Sequence, residues 1–443
     1  MSSSPPTELP SVVGNIEAFL EQIFAQLLPP PLDHLPVRSR GRPRTFHSLC
    51  LWAGLLVCLL RGFSSKTSLW RELTDHDLWF FPAINVTDDG VFKRLEQEGS
   101  QPLEQIFQHV TDLLRFRLEP FVRTDLAPFA QQIYALDETT LDQLSRMLPN
   151  LRDKPTGDRA LMPGKFAGLF DVRRQQWQRL VYTNNPYQNE KVLARPILEG
   201  VPKGSLILAD QGYFSFEWFD HLSEQGYHYI SRLRAKTTYE VIHTFYQNEK
   251  DEVLDALVWL GKYRADKAAH AVRLVRFKHG ENTHTYITNV CNPIQLSIYE
   301  LARMYARRWD IELAFKTLKV HLDLHFLYSA KPSLVLQQVW AALTIAQILQ
   351  ALQMEIAGRA KVDPFEVSLA LLVEYLPRWA YTGQDPVQVF VEKGRLLKMI
   401  RPSRRTKVYA PQIKESELTP APLTLVLVRE ARCGAKVRRV RRC

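Results

Sequence analysis

The chain has 443 residues, 46% hydrophobic and 11% aromatic, enough for one large domain or a few smaller ones with sizeable cores. Lys and Arg number 57 against 47 Asp and Glu, a formal charge of +10, and that excess favours a polyanionic partner, nucleic acid first. The five cysteines are odd in number, sparse and without a C-x-x-C pair, which excludes a disulfide framework or a cysteine zinc site and makes a reducing, cytoplasmic setting the default.

The start, MSSSPPTELP, lacks a basic segment followed by an apolar core, so no signal peptide is expected. Residues 1–125 read as mostly helical, because NIEAFLEQIFAQLL and QPLEQIFQHVTDLL carry apolar residues at three- and four-residue steps. The run Phe46–Leu60 is the most apolar in the chain and too short for a membrane span, so it reads as a buried helix and no membrane partner is expected. A proline- and arginine-rich linker, about residues 36–45, precedes it. Within that linker, RGRPR (Arg40–Arg44) resembles the core of an AT-hook, which enters narrow A·T minor grooves, and equally suits a basic linker. Arg40 and Arg42 are its DNA-binding candidates. VTDDGVFKRLEQEG reads as a helix with Thr87 as N-cap and acids in its first turn.

The character changes near residue 126. QQIYALDETTL, GKFAGLFDVRR and QWQRLVYTNNP read as a β-meander, followed by a helix, the buried strand GSLILADQGYF, a second helix and the strand YHYISRLR. This is a mixed sheet with helices packed on it, an α/β arrangement. From about residue 235 to 290, β-branched and alternating runs read as a β-rich insertion within a catalytic region spanning 126–330. Residues 331–400 read as helical, with apolar faces that suit dimerisation or packing on the catalytic region. Residues 401–443 read as a basic tail that adds salt-sensitive, sequence-independent DNA affinity.

Asp137, in ALDETTL, and Asp210, in LILADQGYF, each fall at the end of a strand. Ligands of open α/β sheets gather at strand ends, so two such aspartates can meet across a long stretch of sequence. Each alone also suits a turn or cap. The stretch YARRWDIELAFKTLK reads as one helix, and Tyr305, Arg308, Glu312 and Lys319 then fall within roughly 60° of one face. Asp137, Asp210 and Glu312 together form a carboxylate set for hard cations, Mg²⁺ or Mn²⁺, and two such ions can clamp an in-line phosphoryl displacement. Glu138 should point to the opposite sheet face from Asp137, and Asp310 lies about 160° around the helix from Glu312, so both are left out of the set. Arg308 and Lys319 would then face DNA phosphates, and Tyr305 a phosphate or an unpaired base. An ordinary Arg308–Glu312 pair at i, i+4 accounts for two of those residues without DNA.

The pattern Y-x2-R-x3-E-x6-K at these four positions resembles the signature of a large group of bacterial insertion-sequence transposases of the DDE type. Trp309, LDETTL, ADQGYF and YITNV resemble the same group, and the resemblance covers roughly residues 85–330. It implies an RNase H-like catalytic core with a β-strand insertion, helical N- and C-terminal regions, and a cytoplasmic, nucleoid-associated protein of bacteria. It implies Asp137, Asp210 and Glu312 as catalytic metal ligands, holding two Mg²⁺ for which Mn²⁺ can substitute. It implies Tyr305, Arg308 and Lys319 as contacts to the transposon end, with terminal inverted repeats and target DNA as partners and a homodimer as the working unit. Cut-and-paste chemistry would follow: hydrolysis at the element's 3′ ends, then joining of the freed 3′-OH groups to target DNA. Gln211 stands where that group more often has Arg or Lys. A DNA-binding protein of the same ancestry that no longer cuts, and another RNase H-like nuclease, are the competing readings.

Overall fold

In the computed structural model the described residues are 16–27, 45–63, 65–140, 165–183, 185, 188–264, 267–320, 322, 329, 331–382 and 384–429. Five helices open the chain: α1 (Ile16–Leu27), α2 (Ser48–Leu60), α3 (Lys66–Asp75), α4 (Asp88–Glu98) and α5 (Gln101–Leu118). α2 is apolar all round and is buried along most of its length, as a helix without a polar face must be. The Thr87 hydroxyl accepts a hydrogen bond from the Gly90 amide at 3.3 Å and caps α4 as expected.

One nine-stranded sheet follows: β1 (Ile133–Thr140), β2 (Lys165–Asp171), β3 (Gln176–Thr183), β4 (Leu206–Ala209), β5 (His228–Arg232), β6 (Tyr239–Asn248), β7 (Val253–Leu260), β8 (Val272–His279) and β9 (Asn282–Thr288). Its spatial order is β3-β2-β1-β4-β5-β9-β8-β7-β6. The first three strands form the expected antiparallel meander, and β4 and β5 run parallel to β1. That five-strand arrangement is the RNase H-like core the resemblance implies. The β-rich run is not a separate lobe. β9 pairs antiparallel with β5, so β6–β9 widen the same sheet.

Helices cover both faces. Alternation along β1 sends Ile133 and Ala135 to one face, and Tyr134 and Leu136 to the other. α6 (Glu190–Ile197) and α7 (Phe216–Glu224) lie on the Tyr134 side. α8 (Ile298–Ala306), α9 (Trp309–Val320) and the long α10 (Pro332–Ala360) belong to the Ile133 side, where α10 also packs on α5 and α2. α9 can lie close because Gly168 on β2 leaves room: a Cβ there would meet the Phe315 ring at 3.1 Å and the Trp177 ring at 2.6 Å.

α10 is long and apolar enough to cross a membrane, yet 94% of that apolar window is buried inside the protein. Its glutamines explain why. Gln347 accepts from the Trp177 amide at 3.0 Å and donates to Trp177 O and Thr111 Oγ1. Gln337 donates to Leu95 O and Gly99 O. These bonds tie the helix to its own chain on several sides. α11 (Leu369–Thr382) and α12 (Pro386–Lys393) follow.

Two buried links hold the widened sheet in register with α8. Arg273 of β8 grips Asp255 of β7 in a two-point ion pair, 2.7 and 2.6 Å, with both side chains essentially inaccessible. The same guanidinium donates to Leu296 O, one residue before the Ser297 cap of α8. Farther along, residues 418–429 strap the outer sheet. The Thr419 amide donates to Phe245 O on edge strand β6, the Ala271 amide donates to Leu427 O, and Arg429 stacks 4.4 Å over Trp259.

Candidate active site

β1 and β4 are neighbouring parallel strands with Leu136 opposite Ala209. Asp210 follows the end of β4 as expected, but Asp137 lies inside β1, which continues to Thr140 and pairs Asp137 with Gly168 of β2. The two aspartates still sit side by side, because each directly follows the last pair between β1 and β4. Asp137 shares the face of Ile133 and Ala135 and points toward α9. Asp210 Oδ1 accepts from the Gly212 amide at 2.7 Å, an Asx turn that fixes the carboxylate as the chain leaves the strand. Glu312 sits in the first turn of α9, which packs over β1.

Arg308 lies between two of the carboxylates. Its Nη2 is 2.6 Å from Glu312 Oε1, and its Nη1 is 3.9 Å from Asp137 Oδ2. Burial pushes the Asp137 carboxyl up to about 7, the Glu138 amide and Arg308 pull it back, and Asp210 and Glu312 push it up again. Burial is thus the main cause, and the two neighbouring carboxylates add a smaller push in the same direction. Among the described residues no three His, Cys, Asp or Glu side chains already close into a metal-holding group. The donor set still suits a hard divalent cation: oxygen donors from three separate elements, with a guanidinium supplying positive charge between two of them.

The signature stretch is two helices rather than one. α8 ends at Ala306, α9 begins at Trp309, and the Arg308 amide donates to Tyr305 O across the turn. Two buried anchors make the break. Arg307 pairs with Asp363, and Asp310 Oδ2 accepts from Gln175 Nε2 at 2.7 Å. Tyr305 therefore closes α8 and is buried, with its ring 4.9 Å from Tyr286 and near the Arg232 and Arg308 guanidinium groups. Its phenol is pushed up to about 12, first by burial, so it remains a hydrogen-bond donor at neutral pH. Asp310 faces away from Glu312, as expected. Glu138 also turns to the opposite face and pairs with Lys165. The Arg308–Glu312 pair of the simpler reading is present, yet Arg308 Nε is buried without a partner, a donor left over for another acceptor.

Lys319 belongs to the last turn of α9, and its side chain lies outside the described residues, as do Arg40 and Arg42. The structure adds Arg232, which sequence reading passes over. It is exposed at the end of β5 and stacks on Tyr305, and Arg234 and Lys236 follow it on alternate positions. The signal is the run SRLRAK, which begins in the last two residues of a strand and continues past it.

A mixed sheet with carboxylates gathered on adjoining strands suits metal-assisted chemistry on phosphodiesters. Residues 165–348 match the family described as the transposase DDE domain. The putative transposase of insertion sequence element IS4SA from Synechocystis is 24% identical over 78% of this chain and 91% of its own length. The transposase InsG of insertion sequence element IS4 from Escherichia coli is 24% identical over 51% of this chain and 54% of its own length. That of IS231E from Bacillus thuringiensis is 22% identical over 71% and 75%. Among solved structures, a piggyBac transposase synaptic complex with hairpin DNA is similar with a TM-score of 0.43 and 10% identity, covering 94% of this chain and 90% of that one. The matched domain and these relatives support a DDE transposase of an insertion sequence, an enzyme that cuts and joins DNA. Members of this family use divalent metal ions.

Proposed function

We propose that the chain binds the terminal inverted repeats of its own element, cuts at the element ends with Asp137, Asp210 and Glu312 as metal ligands, and joins the 3′-OH ends to target DNA. The observation that supports this reading is the approach of carboxylates from β1, β4 and α9, with Asp210 and Glu312 both near Asp137 and the Arg308 guanidinium between Asp137 and Glu312. Two Mg²⁺ ions, replaceable by Mn²⁺, would activate the attacking oxygen and stabilise the leaving one. The chain's residues do the holding. The Asx turn aims Asp210, the α9 packing aims Glu312, and the parallel register sets Asp137 beside Asp210. Arg308 and Arg232 place positive charge where phosphates must lie, and Lys319 continues the same reading along α9. The helical region from Phe46 to about Leu114 would recognise the element end, with Arg40 and Arg42 reaching an adjacent minor groove. A homodimer would hold two ends for concerted cutting.

The test is strand-resolved cleavage. DNA flanking the source gene is incubated with the purified protein and Mg²⁺, and the strands are separated on a denaturing gel. A nick at the repeat boundary is expected; stable binding without a nick would favour the DNA-binding protein that no longer cuts. Arg308→Ala should weaken binding of the element end about 10- to 100-fold, the range for one charge-assisted contact of 1.5–3 kcal/mol. Equal affinity and equal cutting would leave Arg308 as a partner of Glu312 alone.

A further inference from the structure

The chain from Lys393 to Lys407 reads KGRLLKMIRPSRRTK: seven cations and no acid. All seven are exposed, and among the described residues none is ion-paired. Some exposed cations elsewhere are paired, as in Lys93–Asp89, Arg195–Glu217 and Lys278–Glu252. The segment is also anchored. The Ser368 amide donates to Met399 O at 2.9 Å, and the Arg401 amide donates to Glu366 O at 2.8 Å. Gly394 closes the turn at a point where a Cβ would meet Phe390 O at 2.2 Å. Like charges held together on a fixed backbone repel, and a polyanion relieves that repulsion.

Between this segment and α9–α10 lies a cleft of about 690 Å³. Lys316, Arg401, Arg404 and Arg405 line it, and the buried Gln350 Oε1 on its wall has no partner. Asp310, Leu313 and Thr317 form its α9 side, the side opposite Glu312. Lys316 stands one turn after Glu312, between the two faces. Lys316 thus links the carboxylate site to the cleft, where it and the three arginines outnumber the two acids of the lining, Asp310 and Glu366.

We propose that this surface grips the sugar–phosphate backbone of duplex DNA away from the cleavage position, without regard to sequence. The inference rests on the transposase reading above and adds a second DNA contact to it. Each phosphate neutralised releases counterions, so the contact should be read in salt dependence.

The experiment uses the full-length protein and a duplex of about 30 base pairs that lacks any element end, with affinity measured by fluorescence anisotropy across salt concentrations. The cleft variant is Arg401→Glu/Arg404→Glu/Arg405→Glu. Its control, Lys203→Glu/Lys250→Glu/Lys262→Glu, makes the same change in net charge at exposed positions elsewhere. The cleft variant is expected to bind at least about tenfold more weakly near 100 mM salt, and the slope of log affinity against log salt should shrink by about 2.7, roughly 0.9 for each of three contacts. The control should keep nearly the wild-type slope. Equal losses in both variants would reduce the surface to bulk charge, and unchanged binding in the cleft variant would remove it; either result overturns the proposal. A thermal melt of each variant checks folding, and Arg401→Gln/Arg404→Gln/Arg405→Gln should show the same direction if reversed charge itself disturbs the fold. The transposase reading fails separately, on a wild-type protein that binds element ends but never nicks them.

Discussion

Asp210→Ala is expected to lower nicking of the element end to about a thousandth of wild type or less, while binding of that end stays within a few-fold. A metal clamp contributes several kcal/mol of transition-state stabilisation, and about 4 kcal/mol is already a thousandfold in rate. Asp137→Ala and Glu312→Ala should behave alike, because the three groups act as a unit and their losses do not add. Asp210 is the cleanest position. Its only described role in folding is the Asx turn to Gly212, at the end of a short buried strand. Asp210→Cys sharpens the test: a thiolate is a poor ligand for Mg²⁺ and a better one for softer ions, so activity should return partly with Mn²⁺. Single-turnover cleavage measures each variant, and normal cutting with Mg²⁺ would remove that residue from the set.

Asp255→Ala should cost about 3–5 kcal/mol of stability, because Arg273 would be left buried, charged and without its counter-ion. Both side chains are closed to water, so no solvent can substitute. The damage should also reach the catalytic region. Arg273 holds Leu296 O, and the next residue caps the helix that carries Tyr305 in its last turn. Chemical denaturation would read the loss, and a fall of less than about 1 kcal/mol would show that the pair carries little. Replacing both partners with apolar residues of similar volume, Asp255→Leu with Arg273→Met, should cost much less than the single change.

Much of the site is legible in the sequence alone, for a physical reason. β1 and β4 are runs of apolar residues, each reaching its carboxylate, and parallel register then sets those carboxylates side by side. The cap at Thr87 and the inward turn of Asp310 also follow from local chemistry. What local patterns conceal depends on partners far away in the chain. The break between α8 and α9 carries no Gly or Pro; it is set by Arg307 reaching Asp363 and Asp310 reaching Gln175. The union of β6–β9 with the core sheet depends on β9 meeting β5, a pairing that no local pattern encodes. The cations at Lys393–Lys407 are readable as letters, but their common exposure and the cleft beside them are not.

The strap of residues 418–429 has a consequence for the order in which the molecule matures. The ribosome delivers β6 through β9 well before Thr419, so for the interval of their synthesis the outer edge of β6 is bare. An uncovered sheet edge is a template for pairing with another nascent chain. Polypeptides stopped short of Thr419 would retain Asp137, Asp210 and Glu312 and yet keep an adhesive flank. Messages truncated near their 3′ end should therefore yield aggregates rather than enzyme, and a damaged copy of the gene would silence itself at the level of its product.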